Sequence, residues 1–150
     1  MQLLTFTLCG GNFGIPLKDI ELVEKRSNEI VEMPVASAYI KGIVTIREHI
    51  VPIYSLASRL GYDTEKSGYF VIIDVEGTKL GIEVDRLNAV IDAEDEKVLS
   101  VPSILSGGDN YLGNIVVERQ KQLIILIDVN SLVTHDEKME INRLISEKGY

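Results

Sequence analysis

The side chains able to do covalent or proton-transfer chemistry in this chain are few, and their spacing does not gather them. Its two histidines are His49, read at a hairpin tip, and His135, read at a helix start; both fit solvated surface positions. The single cysteine, Cys9, closes an apolar strand next to Gly10. A nucleophilic thiol needs a base partner, and none is indicated for it. Asp92, Glu94, Asp95 and Glu96 crowd one strand end, but lack the spacing of a calcium loop and the distal glutamate that completes one. They read as a charged turn. Gly107-Gly108 could cradle an anion, yet no helix-forming segment follows, so a loop is expected there. Glycine-rich phosphate and dinucleotide signatures and the serine nucleophile elbow are missing. Catalysis, metal binding and cofactor binding therefore have no support in the residues, and the expectation shifts to surface recognition.

The elements that would shape such a surface come from an internal repeat. Residues 3–15, LLTFTLCGGNFGI, align without a gap on residues 70–82, FVIIDVEGTKLGI. Gly10 coincides with Gly77 and Gly14 with Gly81; beyond them Ile20 matches Leu87 and Val23 matches Val90. The shared unit is a strand, a tight glycine-bearing turn and a second strand. Leu4, Phe6 and Leu8 alternate with Thr5 and Thr7, the pattern of a half-buried strand, whereas Tyr69 to Ile73 is continuous and expected to be buried on both faces.

Each half offers a second hairpin. Ile43 to Ile46 and Ile50 to Ile53 flank Arg47-Glu48-His49, and Ile115 to Val117 and Leu123 to Ile127 flank Glu118 to Gln122. Both runs end in a Ser-Leu pair, Ser55-Leu56 and Ser131-Leu132. Pro52 lacks an N–H and belongs at an edge or bulge. Short strands at this spacing predict a mainly β fold of two small closed or nearly closed barrels. One lobe is expected over 1–62 and the other over 69–133, packed as one domain of residues 1–150, with Tyr62 to Gly68 between them. Helices are few. Pro16 is expected to open a short one with Ile20 and Val23 on one side and Leu22 exposed on the other. Ser55 caps 56–60, which Gly61 ends, and Thr134 with Glu137 has the capping-box spacing before a helix over 135–148 striped by Ile141, Leu144 and Ile145.

Composition narrows the class further. With 150 residues, 45% of them hydrophobic, the chain has material for a sizeable core. Lys and Arg number 15 against 23 Asp and Glu, a net charge of −8. A field of that sign repels phosphate backbones, and no basic stripe offsets it, so nucleic-acid binding is excluded. One cysteine rules out an intramolecular disulfide or a multi-cysteine zinc site and fits a reducing compartment. No apolar run approaches the roughly 18 residues of a spanning helix, and the N-terminus lacks the positive region of a secretion signal. A cytoplasmic protein without membrane insertion is expected. A small-molecule carrier or enzyme using the seam between lobes would need convergent polar groups, and the strand interiors are Ile, Val and Leu.

The opening strand LLTFTL, the segment FGIPLKDIELV, the run AYIKGIVTIREHIVPIYSL after Pro34, LGIEVD at 80–85 and LIILIDVNSLV at 123–133 together resemble the CheW family of chemotaxis coupling proteins. The resemblance covers about residues 3–133. It implies two SH3-like five-stranded barrels around an apolar seam, and an adaptor that ties methyl-accepting receptor tips to the regulatory domain of the histidine kinase CheA, with no catalysis and no cofactor. A related scaffold role outside chemotaxis is the nearby alternative. The isolated chain is expected to be a monomer, recruited to receptor arrays at the membrane. By position, the resemblance implies a receptor groove at Ile20, Leu22, Val23, Gly42, Arg47 and Glu48, and a kinase-side strand at Val51, Pro52 and Ile53. The chain departs from the family pattern at Thr45 and Glu48, where asparagine and glycine are usual around Arg47. It departs again at Ser55 and Leu22, where acidic residues are usual. Glu48 removes backbone freedom from the hairpin tip and adds a negative charge beside Arg47.

Overall fold

Alternating apolar residues interrupted by two-residue turns fold the chain into antiparallel hairpins, as the computed structural model shows for residues 1–26, 29–62, 68–93, 98–100, 112–117 and 123–147. In chain order the elements are β1 (Gln2–Leu8), β2 (Gly11–Pro16), β3 (Ile20–Lys25), β4 (Ile40–Ile46), β5 (His49–Tyr54), α1 (Leu56–Arg59), β6 (Tyr69–Val75) and β7 (Thr78–Val84). There follow β8 (Arg86–Asp92), β9 (Val98–Ser100), β10 (Leu112–Val117), β11 (Leu123–Ile127), α2 (Val129–Leu132) and α3 (His135–Glu147).

The strands form a six-stranded sheet in the order β8-β1-β2-β11-β10-β9 and a five-stranded sheet in the order β3-β6-β7-β5-β4. Neither is the product of one half of the chain. The first-half hairpin β1–β2 lies among second-half strands, and the second-half hairpin β6–β7 lies among first-half strands. A division at residues 62 and 69 therefore does not follow the sheets, because the chain crosses from one sheet to the other after β2 and back again after β7. The repeat survives this exchange. Antiparallel hairpins meet a parallel neighbour at equivalent places, Phe13 opposite Ile125 and Gly14 opposite Leu126 in one sheet, Gly81 opposite Ile53 and Ile82 opposite Tyr54 in the other. Both sheets are open in the described residues, where closed or nearly closed barrels were expected; the two-layer, mainly β character is as expected.

The core has one central layer and two outer ones. Leu4, Phe6, Leu8, Phe13 and Ile15 of one sheet pack against Val71, Ile73, Val75, Leu80, Ile82 and Val84 of the other. On its outer face the five-stranded sheet carries Val44, Ile46, Val51, Ile53, Phe70 and Ile72. Leu3, Ala93, Ile124 and Leu126 fill the corresponding outer face of its neighbour. Tyr69 to Ile73 is thus sandwiched on both faces as its unbroken hydrophobicity predicts, Val71 and Ile73 inward, Phe70 and Ile72 outward. Thr5, read as a polar alternation, is buried: its hydroxyl donates to the Ala89 carbonyl (2.8 Å) and accepts from the Ala89 amide (3.1 Å) beside a bulge that shifts the β1–β8 register.

Local signals are honoured at most helix ends. Ser55 Oγ accepts from the Ser58 amide and caps α1, with Gly61 at φ +88° after it. Thr134 and Glu137 exchange bonds of 3.0 and 3.1 Å as a reciprocal capping box, and Ile141 and Leu144 are fully buried in the central layer. One expectation needs correction: the segment after Pro16 makes only a 3-10 turn, Leu17–Asp19, because Ile20–Lys25 is captured as a strand by β6. In the second half the N-cap of α2 is Asp128, whose carboxylate accepts from the Asn130 amide. The turn at Glu118 to Gln122, the acidic residues Glu94 to Glu96, Gly107-Gly108 and most of Tyr62 to Gly68 lie outside the described residues.

Candidate functional site

Strand pairing places three of the residues singled out by sequence around one cleft. Leu22, Arg47 and Val51 line a cavity of about 490 Å³ together with Glu21, Ile46, His49, Ile50, Ile72, Lys79 and Ile145. The cleft straddles the sheet: Leu22, Ile46, Val51 and Ile72 belong to its outer apolar cluster, whereas Ile50 and Ile145 pack against the central one. Leu22 is half-buried in this wall rather than exposed. A bulge between Ile20 and Leu22 breaks the two-residue alternation of β3, so Ile20 and Val23 share the inward face and Leu22 turns outward.

The other predicted contact residues have different places. Ile20 and Val23 pack against the central core. Gly42 is buried where a second chain segment crosses it: a Cβ there would sit 2.1 Å from the Val31 carbonyl oxygen, and Val31 and Ile43 exchange backbone bonds at the same point. Its role is to let two backbones touch. Ile53 is fully buried, and Pro52 is buried opposite Ile43. Pro52 fits within β5 because the ladder to β7 begins only at Ile53, leaving the proline without a partner to disappoint on that side. Val51 and Ile53 share the outer apolar cluster of the sheet.

The tip of β4–β5 is the most unusual local structure. Ile46 pairs with His49, so the loop is Arg47-Glu48 alone, and His49 begins a strand instead of forming the tip. Both loop residues have positive φ, +51° and +69°. This is the geometry of a type I′ turn, which twists with its strands but favours Asn and Gly. The related turns Cys9-Gly10 and Glu76-Gly77 place glycine second, at φ +80° and +88°. Glu48 occupies that second position with a full side chain, at a cost of about 1–2 kcal/mol.

Charges ring the cleft. Arg47 Nη2 lies 3.4 Å from Glu24 Oε2, and the arginine side chain is 68% exposed. Lys79 Nζ holds Glu21 and Asp74, each at 2.7 Å. The Lys79 ammonium and the Gly77 amide keep the Asp74 carboxyl below its ordinary range, and Asp74 and Glu21 in turn push Lys79 up. Cys9 lies elsewhere, and burial, reinforced by Asp85, raises its thiol away from the reactive thiolate.

A larger cleft, about 700 Å³, lies between residues 36–39 and the start of α3. Two of its three carboxylates are already occupied: Glu137 accepts from Ser37 Oγ at 2.6 Å, and Glu140 from the Ala36 amide at 2.8 Å. It is a seam that fastens α3 to the chain before β4. A third, near Arg26, Glu29 and Lys41, adjoins the buried Glu83 carboxylate, which takes Arg26 at 2.6 Å and Lys41 at 2.7 Å. Among the described residues no group of His, Cys, Asp or Glu is arranged to hold a metal, and no helix is long and apolar enough to cross a membrane.

Sequence reasoning missed the other seven lining residues, among them Ile72, Lys79 and Ile145. The outward parity of Ile72 was legible in the Tyr69 to Ile73 run, but Lys79 and Ile145 reach the cleft only through tertiary packing.

Comparison with known proteins agrees with this architecture. Residues 2–137 match the CheW family, described as the CheW-like domain. The chain is 34% identical over 151 residues to a chemotaxis protein CheW of Treponema pallidum, covering 95% of this chain and 88% of that one. It is 22% identical to the Bacillus subtilis protein of the same name, covering 88% and 86%. In fold it is similar to the scaffolding protein TtCheW of Thermoanaerobacter tengcongensis, with a TM-score of 0.77, 21% identity, and coverage of 92% and 96%.

Proposed function

We propose, because this chain belongs to the CheW family, that it is an adaptor which couples the cytoplasmic tips of chemoreceptors to the regulatory domain of the histidine kinase CheA. The cleft of Leu22, Arg47 and Val51 supports the reading: an apolar floor rimmed by an exposed cation suits the side of a receptor's helical hairpin. The adaptor acts without catalysis. Having no reaction to run, it can influence a kinase only by binding the kinase's states unequally. Contacts of roughly 600 Å² or less per partner are weak singly, and repetition through an array supplies avidity.

The test is reconstitution of kinase and receptor fragment with and without this protein, reading phosphate incorporation, beside titration against each partner. Micromolar binding and coupled kinase activity are expected; no association up to about 300 µM would defeat the proposal. In the same assay Arg47→Glu reverses the rim charge and is expected to lower coupling, while altering stability by less than about 1 kcal/mol. Early unfolding of that variant, by tens of degrees, would make Arg47 structural.

A further inference from the structure

The three type I′ turns supply an internal control. Two use glycine at the second position, and the third uses Glu48 at φ +69°. Glycine would relieve that position, so the glutamate is not there for folding. Nor does its carboxylate earn stability elsewhere: Glu48 is exposed and, among the described residues, makes no hydrogen bond or ion pair. Its neighbours explain neither fact, since Arg47 is turned to Glu24 and His49 is exposed at the start of β5. A strained residue with an idle charge, set between two residues that line an apolar cleft, Arg47 and His49, has the properties of a recognition element.

We propose that Glu48 is a specificity determinant of the cleft, meeting a lysine or arginine on the partner's helical hairpin while the apolar residues beside that cation enter between Leu22, Ile50 and Val51. Arg47 and Glu48 then present opposite charges side by side, so the partner must carry an acidic and a basic group in matching order. A partner with an acidic group opposite Glu48 is rejected by repulsion in the same contact. The inference rests on the adaptor reading and narrows the receptors that this cleft accepts.

The experiment uses the full chain and the purified tip hairpin of a chemoreceptor from the same organism, with the kinase regulatory domain as a second ligand. Glu48→Gly is expected to raise the melting temperature by about 2–4 °C and to weaken receptor binding about five- to tenfold. Glu48→Gln keeps the strain and loses the charge, so it weakens binding equally with no thermal gain. Glu48→Asp keeps the charge and retains binding, and kinase-domain binding is the same for all four proteins. Wild-type receptor affinity in Glu48→Gln overturns the proposal while leaving the adaptor reading intact. Failure of the wild-type chain to bind either ligand overturns both.

Discussion

The hairpins β4–β5 and β6–β7 lie in the same sheet and close with the same two-residue turn, but they are secured differently. In β6–β7 the second turn residue is glycine. Asp74 accepts from the Gly77 amide and from Lys79, both at 2.7 Å, and Glu76 reaches Lys138 of α3 at 2.6 Å. In β4–β5 two side chains occupy left-handed backbone, and the link from the tip to the body is the 3.4 Å contact of Arg47 with Glu24. The first turn is built for connection. The second keeps charge at the cleft and accepts strain in return. The same two-residue turn thus serves stability in one place and, by the role proposed for Glu48, recognition in the other.

The comparison breaks most severely at the base of β4–β5. Gly42→Ala drives a methyl group into the Val31 carbonyl, backbone that cannot rotate away, and is expected to cost about 3 kcal/mol or more in denaturant unfolding. Near-native stability would mean that the Val31 crossing is easily displaced. Gly77→Glu imposes on β6–β7 the condition that β4–β5 already tolerates. No atom lies within 4 Å of a Cβ at Gly77, so its cost, about 1–2 kcal/mol, is backbone strain alone. It should mirror in magnitude the gain from Glu48→Gly; a much smaller cost would show that these turns do not discriminate against side chains. The smallest effect is pH-dependent. The carboxyl of Asp74 is held below its ordinary value of 3.8, so its contribution is complete above that value and disappears as pH falls through the lower native one. The advantage of wild type over Asp74→Asn, about 0.5 kcal/mol for so exposed a group, should fade as pH falls below the ordinary value of 3.8 in acid unfolding curves. An advantage that persisted at the acid end would remove Asp74 from the account of the turn.

What could be read from the chain was whatever depends on near neighbours. The glycines at positions 10 and 77, the Ser55 cap and the Thr134–Glu137 box each act within four residues, where backbone preference and a single side-chain bond decide the outcome. The unbroken apolar run from Tyr69 to Ile73 likewise announced a strand buried on both faces. The misreading after Pro16 has a matching cause. Proline suits a helix start, but Ile20–Lys25 gained more from a ladder with β6, a partner about fifty residues away, than from a short helix.

The candidate site was legible in part for the same reason. Arg47 and Leu22 stood out by type and position, yet Gly42 and Ile53 drew notice as surface residues although one lies beneath Val31 and the other beside Gly81. Residue order thus determined the hairpins, their turns, the helix caps and the faces of the strands, because those follow from local sterics and from the period of apolar side chains. The exchange of hairpins between sheets, the bulge that turns Leu22 outward and the arrival of Ile145 at the cleft were decided by the tertiary structure. They depend on burying apolar faces from distant parts of the chain against one another, and that free energy exists only once the sheets have met.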